Sequence, residues 1–258
     1  GFTKETLRDH RYFTVDSGAE LEQKWPSVLR KRPDFIKVLL WASDEHSKRA
    51  ISPDKIGERA LDPALLPLIL QKARAAGLRV SAHVTTAEDF HIAVAAGVDE
   101  INHLPYLGSE PIAESDARLA AEKKIVVVTT AGLIERLPKN VMTEAELADV
   151  RKAQIINLKR LHESGVRLAI GSDSTSDTSV KEAFYLDALG IFDRATLLKM
   201  WTETTAQAIF PDRKIGQLAE GYEANFIAQE ADPLKDINNV RRIKYRVKAG
   251  NVLEPVGP

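Results

Sequence analysis

From residue 34 onward, short apolar runs alternate with longer amphipathic ones. Residues 34–41 (DFIKVLLW) are dense in β-formers and predict a strand. Residues 63–76, rich in Ala and Leu and stopped by Gly77, predict a helix. A second strand is expected over 78–83 (LRVSAH). Thr86 then caps a helix, with Asp89 three residues on and Gly97 closing it. Residues 98–103 (VDEINH) predict a third strand, and a helix through 113–123 follows. A fourth strand is expected over 125–130 (IVVVTT), then a long helix over 144–164 ending at Gly165. Residues 166–173 (VRLAIGSD) predict a fifth strand, with a helix over 180–189 behind it. One further helix, over 17–30, precedes the first strand.

Strands alternating with helices of this length imply parallel βαβ units and an α/β fold. Five such units fit either an open doubly wound sheet or most of an eight-stranded barrel, and periodicity does not choose between them. After Arg194 the pattern changes. A helical stretch runs to Ile209, Pro211-Asp212 breaks it, and β-like runs follow at 214–218, 225–228 and 241–248. Gly216, Gly221 and Gly250 sit at the expected turns, so this tail reads as a few antiparallel strands. The expected division is therefore 1–210 as the alternating domain and 211–258 as a C-terminal β-segment.

Composition narrows the function more than the fold. A chain of 258 residues can bury a large core. Its net charge of -1 gives no sign of a nucleic-acid or acidic-membrane partner. The alternating Arg241, Arg242, Lys244 and Arg246 read as one solvated strand face. With no Cys, disulfides, thiolate metal sites and a Cys nucleophile are excluded. No apolar run approaches the ~18 residues of a membrane span. Residue 1 is Gly and the methionines are Met142 and Met200, so an upstream portion is expected. A leader could lie there, which leaves the compartment open with the cytoplasm favoured.

The informative polar residues sit at strand ends. His83, His103 and Asp173 each fall at the C-terminal end of a predicted strand, where a barrel builds its active site. Two imidazoles and a carboxylate converging there would suit a metal. Strand alternation places Ser81 on His83's face and turns Val80 and Ala82 toward the helices. Lys37 lies inside an apolar strand, which is costly for an ammonium unless it is paired or neutralised. Trp41, Tyr106 and the 131–141 loop with Arg136 lie where a substrate would sit. Singly, each residue has a plainer explanation: a hydrogen-bonded strand-end His, a snorkelling Lys, a solvated Arg. His91 and His162 fall on helices and read as surface residues.

Several stretches resemble the amidohydrolase superfamily, on its imidazolonepropionase-like and prolidase-like side. They are AHVTTAEDFHIAVAAGVDEINH (82–103), IGSDS (170–174), DFIKVLL (34–40) and the tail IGQLAEGYEANFIAQEADPLKDI (215–237). The resemblance implies a (β/α)8 barrel represented by about its fourth to eighth strands, with 1–210 a partial barrel and 211–258 packing as a small composite domain. It implies a hydrolase that cleaves an amide, peptide or cyclic amide bond with metal-activated water. Ester, lactone or phosphotriester hydrolysis is the alternative, as is an inactive fragment. One or two divalent ions are implied, Zn ahead of Mn, Co or Fe, with Lys37 carbamylated by CO2 and bridging them. His83 and His103 would bind metal, with His103 also catalytic, and Asp173 would bind metal and shuttle the proton. The expected substrate is a small molecule or dipeptide, with a homo-oligomer and the missing N-terminal barrel portion as possible partners. The family's first-strand His-x-His pair is absent: His10 is alone, and His46 follows Lys37's strand in a loop. Asn225 stands where the family's tail has Asp. The doubly wound alternative, a binding protein, has no Gly-rich phosphate loop in its favour.

Overall fold

The computed structural model describes residues 12–49, 60–136, 141–174 and 178–253. These fall into two compact units. The first holds residues 12–49, 60–127 and 141–166, the second 128–136, 167–174 and 178–253.

Helix α1 (Gly18–Arg30) opens the first unit, with the Ser17 side chain accepting from Glu20 N as its cap. Strands β1 (Phe35–Leu39), β2 (Arg79–His83), β3 (Glu100–Asn102) and β4 (Val126–Val128) alternate with α2 (Leu66–Ala75), α3 (Ala87–Ala96) and α4 (Glu114–Glu122). Helix α5 (Glu144–Glu163) follows. The capping box of α3 joins Thr86 and Asp89 as the sequence predicts, and Gly97 ends the helix at φ 79°. A second box, Thr143 with Glu146, starts α5.

Pairing is parallel, with Lys37 opposite Ser81 and Leu39 opposite His83, then Ser81 opposite Glu100 and His83 opposite Asn102. Alternation then sorts the faces. Val38, Val80, Ala82 and Ile101 are buried with Ile69, Leu70, Phe90 and Val94 of the helices. The opposite face carries Phe35, Lys37, Ser81, Glu100 and Asn102 and stays more open, Phe35 being 43% exposed.

The sheet order is β1-β2-β3-β4-β5, where β5 is Arg167–Ala169. Each strand neighbours its predecessor, as in a barrel, whereas a doubly wound sheet reverses direction at a switch point. The fold is thus α/β, a partial (β/α) barrel.

In the second unit β5 is followed by α6 (Val180–Leu189), α7 (Arg194–Lys199), one π-helical turn (Met200–Thr204) and α8 (Thr205–Ile209). Strands β6 (Phe226–Gln229), β7 (Ile243–Lys248) and β8 (Asn251–Leu253) form an antiparallel sheet. The expected run at 214–218 is not a strand. Gly216 packs so closely on the π-turn backbone that an added Cβ would lie 2.6 Å from Thr202 O. Among the described residues no helix is long and apolar enough to cross a membrane.

Candidate functional site

Three strand ends of the first unit bring four rings together. His83 ends β2, Trp41 lies two residues beyond β1, and His103 follows β3 directly. The His83 and His103 ring centroids are 4.5 Å apart with planes at 70°. Trp41 lies parallel to His83, within 5°, at 6.0 Å. Tyr106 stands edge-on to all three, at 6.5 Å from Trp41, 6.4 Å from His83 and 6.3 Å from His103.

The backbone explains the meeting. Further extension of β3 would put His103 on the helix-facing side with Ile101. A left-handed φ of 76° turns the chain instead, and its ring meets His83. Non-glycine residues in this region are uncommon, and such strain collects at functional sites. Ala42 (φ 41°), Thr130 (φ 41°) and Asp173 (φ 46°) have the same conformation just beyond β1, β4 and β5.

Electrostatics fixes the form of His103. Burial first, then the nearby Lys37 charge, lower its pKa to about 3, so the ring is neutral at physiological pH. A neutral imidazole is the form that ligates metal. Lys37 itself is exposed on the open sheet face rather than buried in its strand. It donates to Asn102 Oδ1, which also accepts from Ser81 Oγ at 2.7 Å, while Asn102 Nδ2 donates to Glu100 Oε1 at 2.8 Å. The cost expected for a buried ammonium therefore does not arise.

As a metal site this donor set fits in part. His83 and His103 supply two imidazoles side by side. Among the described residues, no three His, Cys, Asp or Glu side chains are grouped so as to hold an ion. His46 sits in a 3-10 turn (Ser43–Lys48), and His10 lies outside the described residues. His91 and His162 are exposed on helices, as expected.

Asp173 and Arg136 belong to the second unit. Asp173 is exposed beyond β5. Arg136 ends a 3-10 turn (Ala131–Arg136) and donates to the Ser172 carbonyl next to Asp173. The same segment is held by Ile170 N donating to Thr205 Oγ1 at 2.9 Å, with that hydroxyl donating to Met200 O at 2.9 Å. Arg136, Ser172 and Glu182 help line a cavity of about 400 Å³.

Sequence reasoning missed two buried carboxylates. Asp89 was visible only as a helix cap, and Glu182 not at all. Glu182 accepts from Thr129 Oγ1 (2.6 Å), Ala131 N (2.7 Å) and Gly132 N (2.7 Å), fixing the loop after β4. Burial raises its pKa against those bonds. A lone Glu near the start of a helix carries no signal for this role.

Known proteins resemble the chain over most of its length. The amidohydrolase family model matches residues 33–253. Ochratoxinase of Aspergillus niger is 29% identical over 232 residues, covering 86% of this chain and 46% of the relative. The chain thus spans about half the length of the curated relatives it matches. The crystal structure of A. niger ochratoxinase has a TM-score of 0.73 at 25% identity, covering 92% of this chain and 55% of that one. A Xaa-Pro dipeptidase with bound methionine gives 0.71 at 22% identity, covering 93% and 59%. Molinate hydrolase gives 0.67 at 19%, covering 94% and 56%. The last two likenesses show the fold.

Proposed function

The chain belongs to the amidohydrolase family, and on that premise we propose that it is a metal-dependent hydrolase of C–N bonds in an amide, peptide or cyclic amide. The observation that carries the reading is the His83–His103 ring pair at adjacent parallel strand ends, with His103 held neutral. Relatedness to ochratoxinase supports the hydrolase class.

In this reading His83 and His103 would hold a divalent ion, Zn ahead of Mn, Co or Fe. Lys37, if carbamylated by CO2, would turn from a cation into an oxygen donor for that ion. When bound, such an ion lowers the pKa of a water toward ~7 and polarises the scissile carbonyl. The family resemblance would give Asp173 the proton of the attacking water to pass to the leaving amine. Trp41, 39% exposed, gives a small-molecule or dipeptide substrate a flat face beside the imidazoles, with buried Tyr106 edge-on to it. Arg136 fixes the backbone before Asp173 through the Ser172 carbonyl.

The test is hydrolysis of N-acyl amino acids, dipeptides and lactams, with matched esters and lactones alongside, by protein stripped of metal and resupplied. Metal-dependent amide cleavage is expected. It should fall by about 10²-fold or more in His83→Asn and His103→Asn, since even lost outer-shell partners cost up to that much. Cleavage of the esters alone moves the substrate class. No turnover of either series with metal supplied overturns the reading.

A further inference from the structure

We propose that Asp89 is a positioning residue that sets the aromatic wall over the histidine pair. Asp89 lies in the first turn of α3 and is fully buried. Its carboxylate does far more than cap that helix. Oδ2 accepts from Ala42 N (3.0 Å), Thr85 N (2.9 Å), Thr85 Oγ1 (2.7 Å) and Thr86 N (3.1 Å). Oδ1 accepts from Ser43 N (2.9 Å) and Ser43 Oγ (2.5 Å). One side chain therefore ties the loop after β1 to the loop after β2.

The third loop joins through the same residue. Tyr106 N and Leu107 N both donate to Thr85 O at 2.9 Å. Trp41 precedes Ala42, which is at left-handed φ and whose N–H is shared between Asp89 Oδ2 and Thr85 Oγ1 (3.0 Å), a hydroxyl itself bonded to Asp89, and Tyr106 N is tied to Thr85 O. Both rings facing His83 thus trace to one carboxylate. Burial works against its charge, yet the bonds from Ser43 and Thr85 prevail and lower its pKa, so it remains an acceptor only. Glu182 repeats the device in the second unit: each helix behind a strand clamps the loop after the preceding strand.

Asp89→Asn keeps the shape but turns an NH2 toward amide and hydroxyl donors. The chain has three tryptophans, Trp25, Trp41 and Trp201, so 5-fluorotryptophan labelling gives three fluorine signals, with Trp41 identified by Trp41→Phe. In Asp89→Asn the Trp41 signal should shift or broaden while the other two stay. Thr86→Ala removes the hydroxyl that caps the same helix at 3.1 Å but leaves the Ala42 and Ser43 bonds, and should move none of the three. A Trp41 signal that stays put in Asp89→Asn, or moves as much in Thr86→Ala, overturns the proposal. Should Asp89→Asn not fold, Ser43→Ala decides in the same way: Trp41 moving alone supports it, Trp41 unmoved overturns it. The catalytic consequence rests on the hydrolase reading. KM should rise about tenfold with kcat within about threefold, the pattern of lost substrate binding. If no amide is turned over at all, that reading fails and the fluorine spectra still decide the placement of Trp41.

Discussion

At the scale of single residues, His103 and His91 are pulled in opposite directions. Burial and the Lys37 charge strip His103 of its proton. The Asp116 carboxylate, 2.9 Å from His91 Nδ1, raises the pKa of His91 above its ordinary value of 6.5. A histidine whose folded pKa is raised adds stability in full below its unfolded pKa and loses it as pH rises through the folded value. The His91–Asp116 contribution should therefore be present at pH 6 and fade above 6.5. The His91 side chain is half exposed, so solvent screening holds the pair below about 1 kcal/mol, or about 2–4 °C in Tm for a chain of this size. His91→Gln should lower Tm at pH 6 and leave it unchanged near pH 9. An equal loss at both pH values would remove the charge from the account. Of the ring cluster, the strand-end places of His83 and His103 were legible because each closes a strand-like run with a polar ring. The work of Asp89 was not, because Ala42 and Ser43 lie more than forty residues away in sequence.

At the scale of elements, the loops after three strands carry a left-handed backbone turn. The apolar runs 98–103, 125–130 and 166–173 promise longer strands than β3, β4 and β5 provide. His103 directly after β3, Thr130 two residues past β4 and Asp173 four past β5 are all at positive φ and turn the chain within the loops. Existence, type and order of the alternating elements follow from hydrophobic period and caps, which are local. The strand ends and the 214–218 segment depend on backbone packing, which is not. Gly171 shows how tight that packing is beyond β5. A Cβ there would lie 2.6 Å from Val128 Cγ1 and 3.2 Å from Thr130 Cγ2, and the β-branched Val128 has little freedom to retreat. Gly171→Ala should cost about 1–3 kcal/mol, the usual range for overpacking, or a Tm drop of about 2–12 °C. A variant melting with the wild type would mean this segment is looser than the contacts imply.

At the scale of the molecule, the family match and the sequential strand order agree on a partial barrel, while the donor set stays sparse. The first unit offers His83 and His103 with Lys37 nearby, and Asp173 stands in the second. Among the described residues no third His, Asp or Glu joins a group able to hold an ion. Catalytic zinc is ordinarily held by three protein ligands and structural zinc by four. Two imidazoles and an unmodified ammonium fall short of that, so this pair should hold one ion loosely. The consequence can be read thermally. A ligand that binds only the folded state stabilises it by RT ln(1 + [L]/Kd), about 2.7 kcal/mol at a hundredfold excess over Kd. A tight site would therefore raise Tm by about 5–11 °C at that excess. A loose one, with Kd near ~100 µM zinc, gives only ~0.4 kcal/mol at that concentration, about 1–2 °C. That small rise should vanish in His83→Ala and in His103→Ala, since one remaining imidazole is a poorer ligand still. Adding bicarbonate with the metal should enlarge it if Lys37 becomes a carbamate, and Lys37→Ala should abolish the bicarbonate effect alone. Two ions per chain retained through dialysis, or a rise near 10 °C that survives both histidine substitutions, would place the metal on donors other than this pair.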